Sequence, residues 1–260
     1  MYMKMNVRRY PPTPPLRPYV NTYTVVVSEH GSVNRLLPLS ALVIAFRIRG
    51  TVRSGLDNGA IMPVSVISGL TNSMRVIEYS RNASTFLVEF KEGGAAAFFN
   101  ESLHELHGRH IPLDGIVQRS LLNEIEERLM GAAGDPERIR VVENFLLSRL
   151  NAAHPERLMR HAVERINSAR GIIRIAPLAA TLCMSQDAFE KKFRRVIGTS
   201  PKQFATTVRL RSAIDNYSPG QSLTDMAYEA GYYDQSHFIK EFRRFTGLPP
   251  REFFRSAAWW

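Results

Sequence analysis

Two hydrophobic periods divide this chain. Between residues 21 and 90, short runs rich in Val, Ile, Thr and Phe recur at 22–27, 42–48, 64–67, 75–79 and 85–90. β-Branched runs of this length, separated by turn signals such as Leu56-Asp57-Asn58-Gly59, predict strands. Several at this spacing predict a small barrel or sandwich. Ahead of them, Tyr10-Pro-Pro-Thr-Pro-Pro-Leu-Arg-Pro18 is too proline-dense for a helix or a central strand and predicts an extended arm. After Gly94 the period lengthens. Residues 95–100 read as a short helix, and Val117, Leu121, Ile125 and Leu129 recur every fourth residue. Gly131-Ala-Ala-Gly134 breaks that helix. Asp135 is placed to cap the next, with Pro136 at its first position, and Ile139, Val142, Leu146 and Leu150 form its apolar stripe. The two stripes fit either a hairpin packed on the strands or a dimer seam. Asn151-Ala-Ala-His-Pro155 reads as a linker.

From there the helical pattern repeats itself at a period of 49 residues. Phe189-x3-Phe193-Arg194-Arg195-x2-Gly198-x2-Pro201-x2-Phe204 recurs as Phe238-x3-Phe242-Arg243-Arg244-x2-Gly247-x2-Pro250-x2-Phe253. A fixed period means one supersecondary unit used twice. In the first copy Ser185 predicts an N-cap, residues 186–197 a helix, and Gly198 a left-handed stop. Phe189, Phe193 and Val196 share one face; Asp187, Lys191 and Arg194 cluster opposite, with Glu190 at the edge. A short apolar helix, Pro177-Leu178-Ala179-Ala180-Thr181-Leu182, precedes it across Cys183-Met184. In the second copy Ser222 starts the short helix, Gly231 supplies the turn and Asp234 takes the place of Ser185. A short helix, a tight turn and a second helix with polar outward positions make a helix-turn-helix. Residues 201–216 are long enough for one helix joining the two.

Charge sharpens this picture. The 260 residues carry a net charge of +10, which calls for an anionic partner. From residue 155 onward there are 17 Lys+Arg against 10 Asp+Glu, so the excess lies mainly with the repeat. Cys183 is the only cysteine, no apolar run approaches the ~20 residues of a membrane span, and the basic, proline-rich start lacks the apolar segment of a signal peptide. These features predict a cytoplasmic protein without a membrane partner.

Ile175-x2-Leu178-Ala179, Ser185, Phe193, Gly198-x-Ser200-Pro201, Arg209-Leu210, Ala213, Ala227-x3-Gly231-Tyr232-x-Asp234-x-Ser236-x-Phe238, Phe242 and Gly247-x-Pro249-Pro250 resemble the AraC/XylS family of bacterial transcription regulators. The resemblance covers about 100 residues from Pro155. It implies two helix-turn-helix modules in one domain, at about 175–197 and 223–246, each sending a recognition helix into the major groove. Pro11-Pro12-x-Pro14-Pro15-Leu16-Arg17-Pro18-Tyr19-Val20 and Phe90-Lys91-Glu92-Gly93-Gly94-Ala95-Ala96-Ala97-Phe98 look like the sensor region of one subgroup. That implies a cupin-like fold whose ligand stays unnamed. The expected architecture is α+β: a cupin-like β-barrel at 1–115, linker or dimerisation helices at 116–154, and an all-α DNA-binding domain at 155–260.

The family's base contacts fall on Gln235, Ser236, His237 and Lys240 of the second recognition helix and on Gln186, Asp187, Glu190 and Lys191 of the first. The two acids depart from the family pattern; they either accept from cytosine N4 or are solvated surface. Lys192, Arg194, Arg195, Arg209, Arg211, Arg243 and Arg244 are candidate phosphate contacts or solubilising charges. His104-Glu105-Leu106-His107-x2-His110 lacks the spacing of H-E-x-x-H and reads as surface histidines rather than a metal site. Cys183 reads as a small turn residue rather than a redox sensor. Trp259-Trp260 fits either docking on the last helix or an exposed contact surface.

The expected function is sequence-specific binding of double-stranded DNA to regulate transcription. The protein acts as an activator and a homodimer, with RNA polymerase as a partner and an unknown small-molecule effector at the front domain. Two other readings stand beside it: a front domain that is only a protein-interaction platform, and a metal-dependent cupin enzyme fused to the DNA-binding module. The enzyme reading is weakened because His30 is the lone histidine between residues 21 and 90. No cofactor is expected. A basic protein that displaces phosphate counterions should lose DNA affinity steeply with salt. Titrations at 50 and 200 mM salt should differ by a factor of ten or more, and equal affinities would contradict the electrostatic reading.

Overall fold

The computed structural model describes residues 5–55, 59–151 and 157–256. The turn signal at 56–58, most of the linker and Trp259-Trp260 lie outside them. Among the described residues nine strands come first: β1 (Asn6–Tyr10), β2 (Val20–Ser28), β3 (Ser32–Leu36), β4 (Val43–Arg49), β5 (Val52–Ser54), β6 (Ser65–Ser68), β7 (Arg75–Tyr79), β8 (Ala83–Phe90) and β9 (His110–Pro112). They form two antiparallel sheets, a six-stranded one in the order β1-β2-β8-β4-β6-β9 and a three-stranded one in the order β3-β7-β5. The α+β class stands as expected. The strands make two facing sheets instead of a closed barrel.

Strand period decides what each face of the large sheet meets. Tyr23, Val25, Ile44, Phe46, Phe86 and Val88 turn to one side and are fully buried there. They join a core built with α1 (Arg119–Gly131) and α2 (Asp135–Arg149). The alternate residues Thr24, Val26, Ala45, Val66 and Leu87 turn to the other side, towards the small sheet. Of the expected stripes, Val117, Ile125, Leu129, Val142 and Leu146 are buried in that core, while Leu121, Ile139 and Leu150 pack against it half-buried and Leu122 is buried in place of Leu121. This packing fits the hairpin reading.

The proline segment departs from the expected free arm. It turns back on itself, buries Leu16 completely, and its Thr13 N–H donates to Glu143 of α2 at 2.8 Å. Asp135 is not the cap expected. It is the first residue of α2, with Gly134 at the N-cap, and it accepts from Arg8 Nε at 2.7 Å and Tyr10 Oη at 2.8 Å. These bonds from β1 hold its carboxyl below its usual pKa against the opposing effect of burial. The short helix at 95–100 is a 3-10 turn, Gly94–Ala97.

Six of the remaining helices follow the repeat. α3 (Arg157–Ser168) precedes them; then come α4 (Ile175–Thr181), α5 (Gln186–Ile197), α6 (Pro201–Asp215), α7 (Leu223–Glu229), α8 (Gln235–Thr246) and α9 (Pro250–Arg255). Phe189, Phe193 and Phe204 anchor one core, and Phe238, Phe242 and Phe253 anchor a second. All six are at most 2% exposed, each burial contributing about 1.5–3 kcal/mol. α6 joins the two by giving Phe204 and Ala205 to the first core and Leu210 and Ile214 to the second. Among the described residues no helix is long and apolar enough to cross a membrane.

The strand half meets the helical half at two helix ends and along α6, where Arg211 donates to the Pro38 carbonyl. Gly198 closes α5 at φ 93°, and a Cβ there would stand 3.1 Å from the carbonyl oxygen of Leu103, in the 3-10 turn Leu103–Leu106. Gly247 closes α8 at φ 81°, where a Cβ would meet Met74 Cε at 3.1 Å. Gly198→Ala should therefore cost about 1–2 kcal/mol from the left-handed backbone alone, with the Leu103 contact adding to it. A urea unfolding midpoint equal to that of the parent protein would show that neither constraint operates.

Candidate nucleic-acid interface

The two recognition helices are built by the same local devices. α5 and α8 each span 12 residues. Ser185 accepts from the Ala188 N–H at 3.3 Å, and Asp234 from the His237 N–H at 2.8 Å. Each cap satisfies a backbone donor that the first turn leaves free. The start of α7 uses the same device, Ser222 accepting from the Asp225 N–H at 3.0 Å. The first-module turn passes through Cys183 at φ 55° and the second through Gly231 at φ 72°. Both are left-handed, a conformation that favours glycine and strains other residues.

The predicted outward positions do face outward. Gln186, Asp187 and Lys191 on α5 are exposed, as are Ser236, His237 and Lys240 on α8; Glu190 and Gln235 are half-buried. On α8, Ser236, Lys240, Arg243 and Arg244 line one open groove with Ile239 and Gly247. That brings two base-reading candidates and two phosphate candidates onto a single surface. On α5 the pattern is more self-contained. Gln186 donates to Glu190 at 3.0 Å, and Glu190 lies 3.8 Å from Arg194. Asp187 sits in the first turn, where the helix dipole stabilises a carboxylate. Both acids thus have a structural reason to stand on this face.

Two of the seven phosphate candidates are committed elsewhere. Arg209 lies 3.2 Å from Glu241 and its guanidinium stacks 4.2 Å from the centre of the Tyr232 ring, with the Tyr232 hydroxyl donating to the same carboxylate at 2.6 Å. That cluster ties α6 to α8. Arg211 donates through Nε to the Pro38 carbonyl at 2.8 Å and is largely buried under the strand half, which lowers its pKa. A charge on a helix face looks the same in sequence whether that face meets solvent, DNA or another domain. Arg195, Arg243 and Arg244 are exposed, and Lys192 and Arg194 are half-buried.

The histidine cluster divides. His104 is exposed, but His107 and His110 are half-buried and are not the surface residues expected. Burial lowers the His107 pKa, with His104, Arg75 and Arg194 adding to the effect. His110 bridges Ser54, at 2.9 Å from Nε2, and Ser68, at 2.8 Å from Nδ1. Among the described residues no three His, Cys, Asp or Glu side chains converge as a metal would require. Sequence reasoning passed over Tyr233, which lies wholly exposed in the turn before α8. Its one signal was an aromatic residue in an otherwise polar turn.

A helix-turn-helix domain family matches residues 178–256, the stretch just described. The C-terminal region is similar to AraC-type helix-turn-helix regulators. A second family, described as a domain of unknown function (DUF6597), matches residues 8–112. An uncharacterised HTH-type transcriptional regulator of Haemophilus influenzae is 36% identical over 85 residues, 32% of this chain and 28% of that protein. A putative AraC-like transcription regulator of Streptomyces lividans is 28% identical over 80 residues, 30% of this chain and 26% of that protein. The chain spans less than half the length of these curated relatives. Among solved structures, ToxT from Vibrio cholerae covers 98% of both chains at 13% identity with a TM-score of 0.45.

The groove on α8 makes Lys240 the strongest single test. Lys240→Ala should lower affinity for a specific site by about 1–3 kcal/mol. Asp187→Ala, which removes an acid already accommodated by its own helix, should change it by less. Unchanged site binding by a folded Lys240→Ala protein, read by fluorescence anisotropy, would remove α8 from base reading.

Proposed function

We propose that this chain is a sequence-specific DNA-binding regulator of transcription, with α8 as the main reading helix, α5 as a weaker second one, and a small effector bound by the strand half. The proposed domain limits stay at 1–115, 116–154 and 155–260. One observation carries the reading. Two capped, glycine-ended helices expose polar N-terminal halves, and the strand half meets their C-terminal ends. Base edges are read by the N-terminal residues of such a helix, so the strand half is placed to bias reading without covering it. Effector control is favoured over a plain interaction platform because the two sheets enclose a cavity of about 330 Å³, within the size range of small-molecule sites. A ligand in it acts only by favouring one arrangement of the two halves over the other. The proposed partners are double-stranded DNA, RNA polymerase and a second copy of the chain, and the proposed output is activation in the cytoplasm.

The test is genome-wide mapping of bound sites with the intact protein, followed by footprinting of the strongest. A shared motif with one or two contacted major-groove segments per protomer is the expected result. Occupancy without any common motif would reduce the protein to a non-specific DNA binder.

A further inference from the structure

The cavity between the sheets is walled mainly by apolar side chains, among them Val26, Val52, Met62, Val66, Ile77 and Leu87. Into it comes the side chain of Arg75, the first residue of β7. Arg75 donates to the Gly69 carbonyl oxygen through one terminal nitrogen. Its Nε is buried and has no hydrogen-bond partner. Among the described residues no carboxylate stands within ion-pair distance of it. Burial alone lowers its pKa to about 10. The hydroxyl of Thr85 lines the same cavity and is likewise buried without a partner. Glu89 also lines it, but accepts the Thr24 hydroxyl at 2.6 Å. Arg9 and Arg47 add further positive charge to the lining.

Arg75 is half-buried, but its desolvated, unpaired Nε and lack of a counter-charge are costly unless something offsets them. Inside this chain nothing described does. We propose that the cavity is the effector site and that its ligand is an amphipathic organic anion: a monocarboxylate whose apolar body fills the space between the sheets and whose head group pairs with Arg75 and accepts from Thr85. This rests on the reading that the strand half senses a small molecule. A planar carboxylate can take two N–H groups of the Arg75 guanidinium in parallel, and the largely apolar walls suit an apolar body behind it. The site also has a route outwards. Arg75 follows Met74, which packs at the end of α8. Gly69, whose carbonyl Arg75 holds, presses on the Leu106 carbonyl of the turn behind α5, so a Cβ there would collide with it. A head group that competes for the guanidinium therefore pulls on a segment that touches the end of α8 through Met74 and the Leu103–Leu106 turn behind α5 through Gly69.

The experiment uses the full chain and two probe pairs, decanoate with decanamide and 4-phenylbutyrate with its primary amide, read by calorimetric titration and thermal shift. At least one carboxylate should bind and raise the melting temperature, and its amide should bind tenfold or more weakly. Arg75→Met should remove a lone buried charge. It should melt no lower than the parent and lose roughly tenfold to a hundredfold in carboxylate affinity. Thr85→Val, which leaves Arg75 in place, should lose severalfold and serves if Arg75→Met does not fold. Absence of binding by either carboxylate, equal binding by acid and amide, or equal binding by parent and Thr85→Val would overturn the assignment. If the amides bind and alter operator affinity, sensing stands and the anion class fails. If a carboxylate binds through Arg75 yet leaves operator affinity unchanged, the site stands and the sensing reading fails.

Discussion

The architecture depends on how two helices end. α5 and α8 stop at Gly198 and Gly247 in the left-handed region, and each glycine leaves room for a piece of the strand half to approach the helix terminus. Any other residue there would meet both a backbone penalty and a neighbour. The two contacts are of different kinds. Leu103 meets Gly198 through backbone, which is stiff, whereas Met74 meets Gly247 through the far end of a flexible side chain. The two helix ends therefore meet the strand half through contacts of different stiffness.

That asymmetry fits the chemistry of the outward faces. On α5, Gln186, Glu190 and Arg194 form a ladder along the helix, so much of its hydrogen-bonding capacity is already used within the chain. On α8, His237 lies 3.7 Å from Glu241, but that carboxylate is shared with Arg209 and Tyr232 and faces the α6 side. Ser236 and Lys240 are left exposed beside Arg243 and Arg244. A duplicated scaffold thus carries two unequal surfaces. The buried positions of the repeat could not diverge without losing a core; the outward ones were under no such constraint.

Legibility in the sequence followed the range of the interactions. Strands β2, β4, β6, β7 and β8 and all the helices of the repeat are written in local periodicity and caps, and they were placed to within a few residues. Strands β1 and β3, with sequences NVRRY and SVNRL, were missed because they are mostly exposed sheet-edge or surface strands whose polar residues erase the β signal. The fates of Arg209 and Arg211 depend on Glu241 and Pro38, 32 and 173 residues away, and no helical wheel contains that information. His110 and Arg75 were hidden for the same reason. Each reads as an ordinary polar residue until two sheets close over it.

The closing of those sheets also explains why the cavity exists. The large sheet has two faces to bury and one helical hairpin to bury them with. α1 and α2 cover the face carrying Tyr23, Phe46 and Phe86. The opposite face, carrying Val26 and Val66, is met only by three short strands and the Met62 loop. β5 has three residues and β3 five, with Val33 and Leu36 exposed. So small a sheet cannot fill the concave side of a six-stranded one with side chains of ordinary size, and space remains. Loosely filled space beside a sheet edge is easier to deform than a packed core. The strand that borders it, β7, begins one residue after the contact with α8. A fold that packed this face fully would gain stability and lose the site at which a small molecule could bias the grip on DNA.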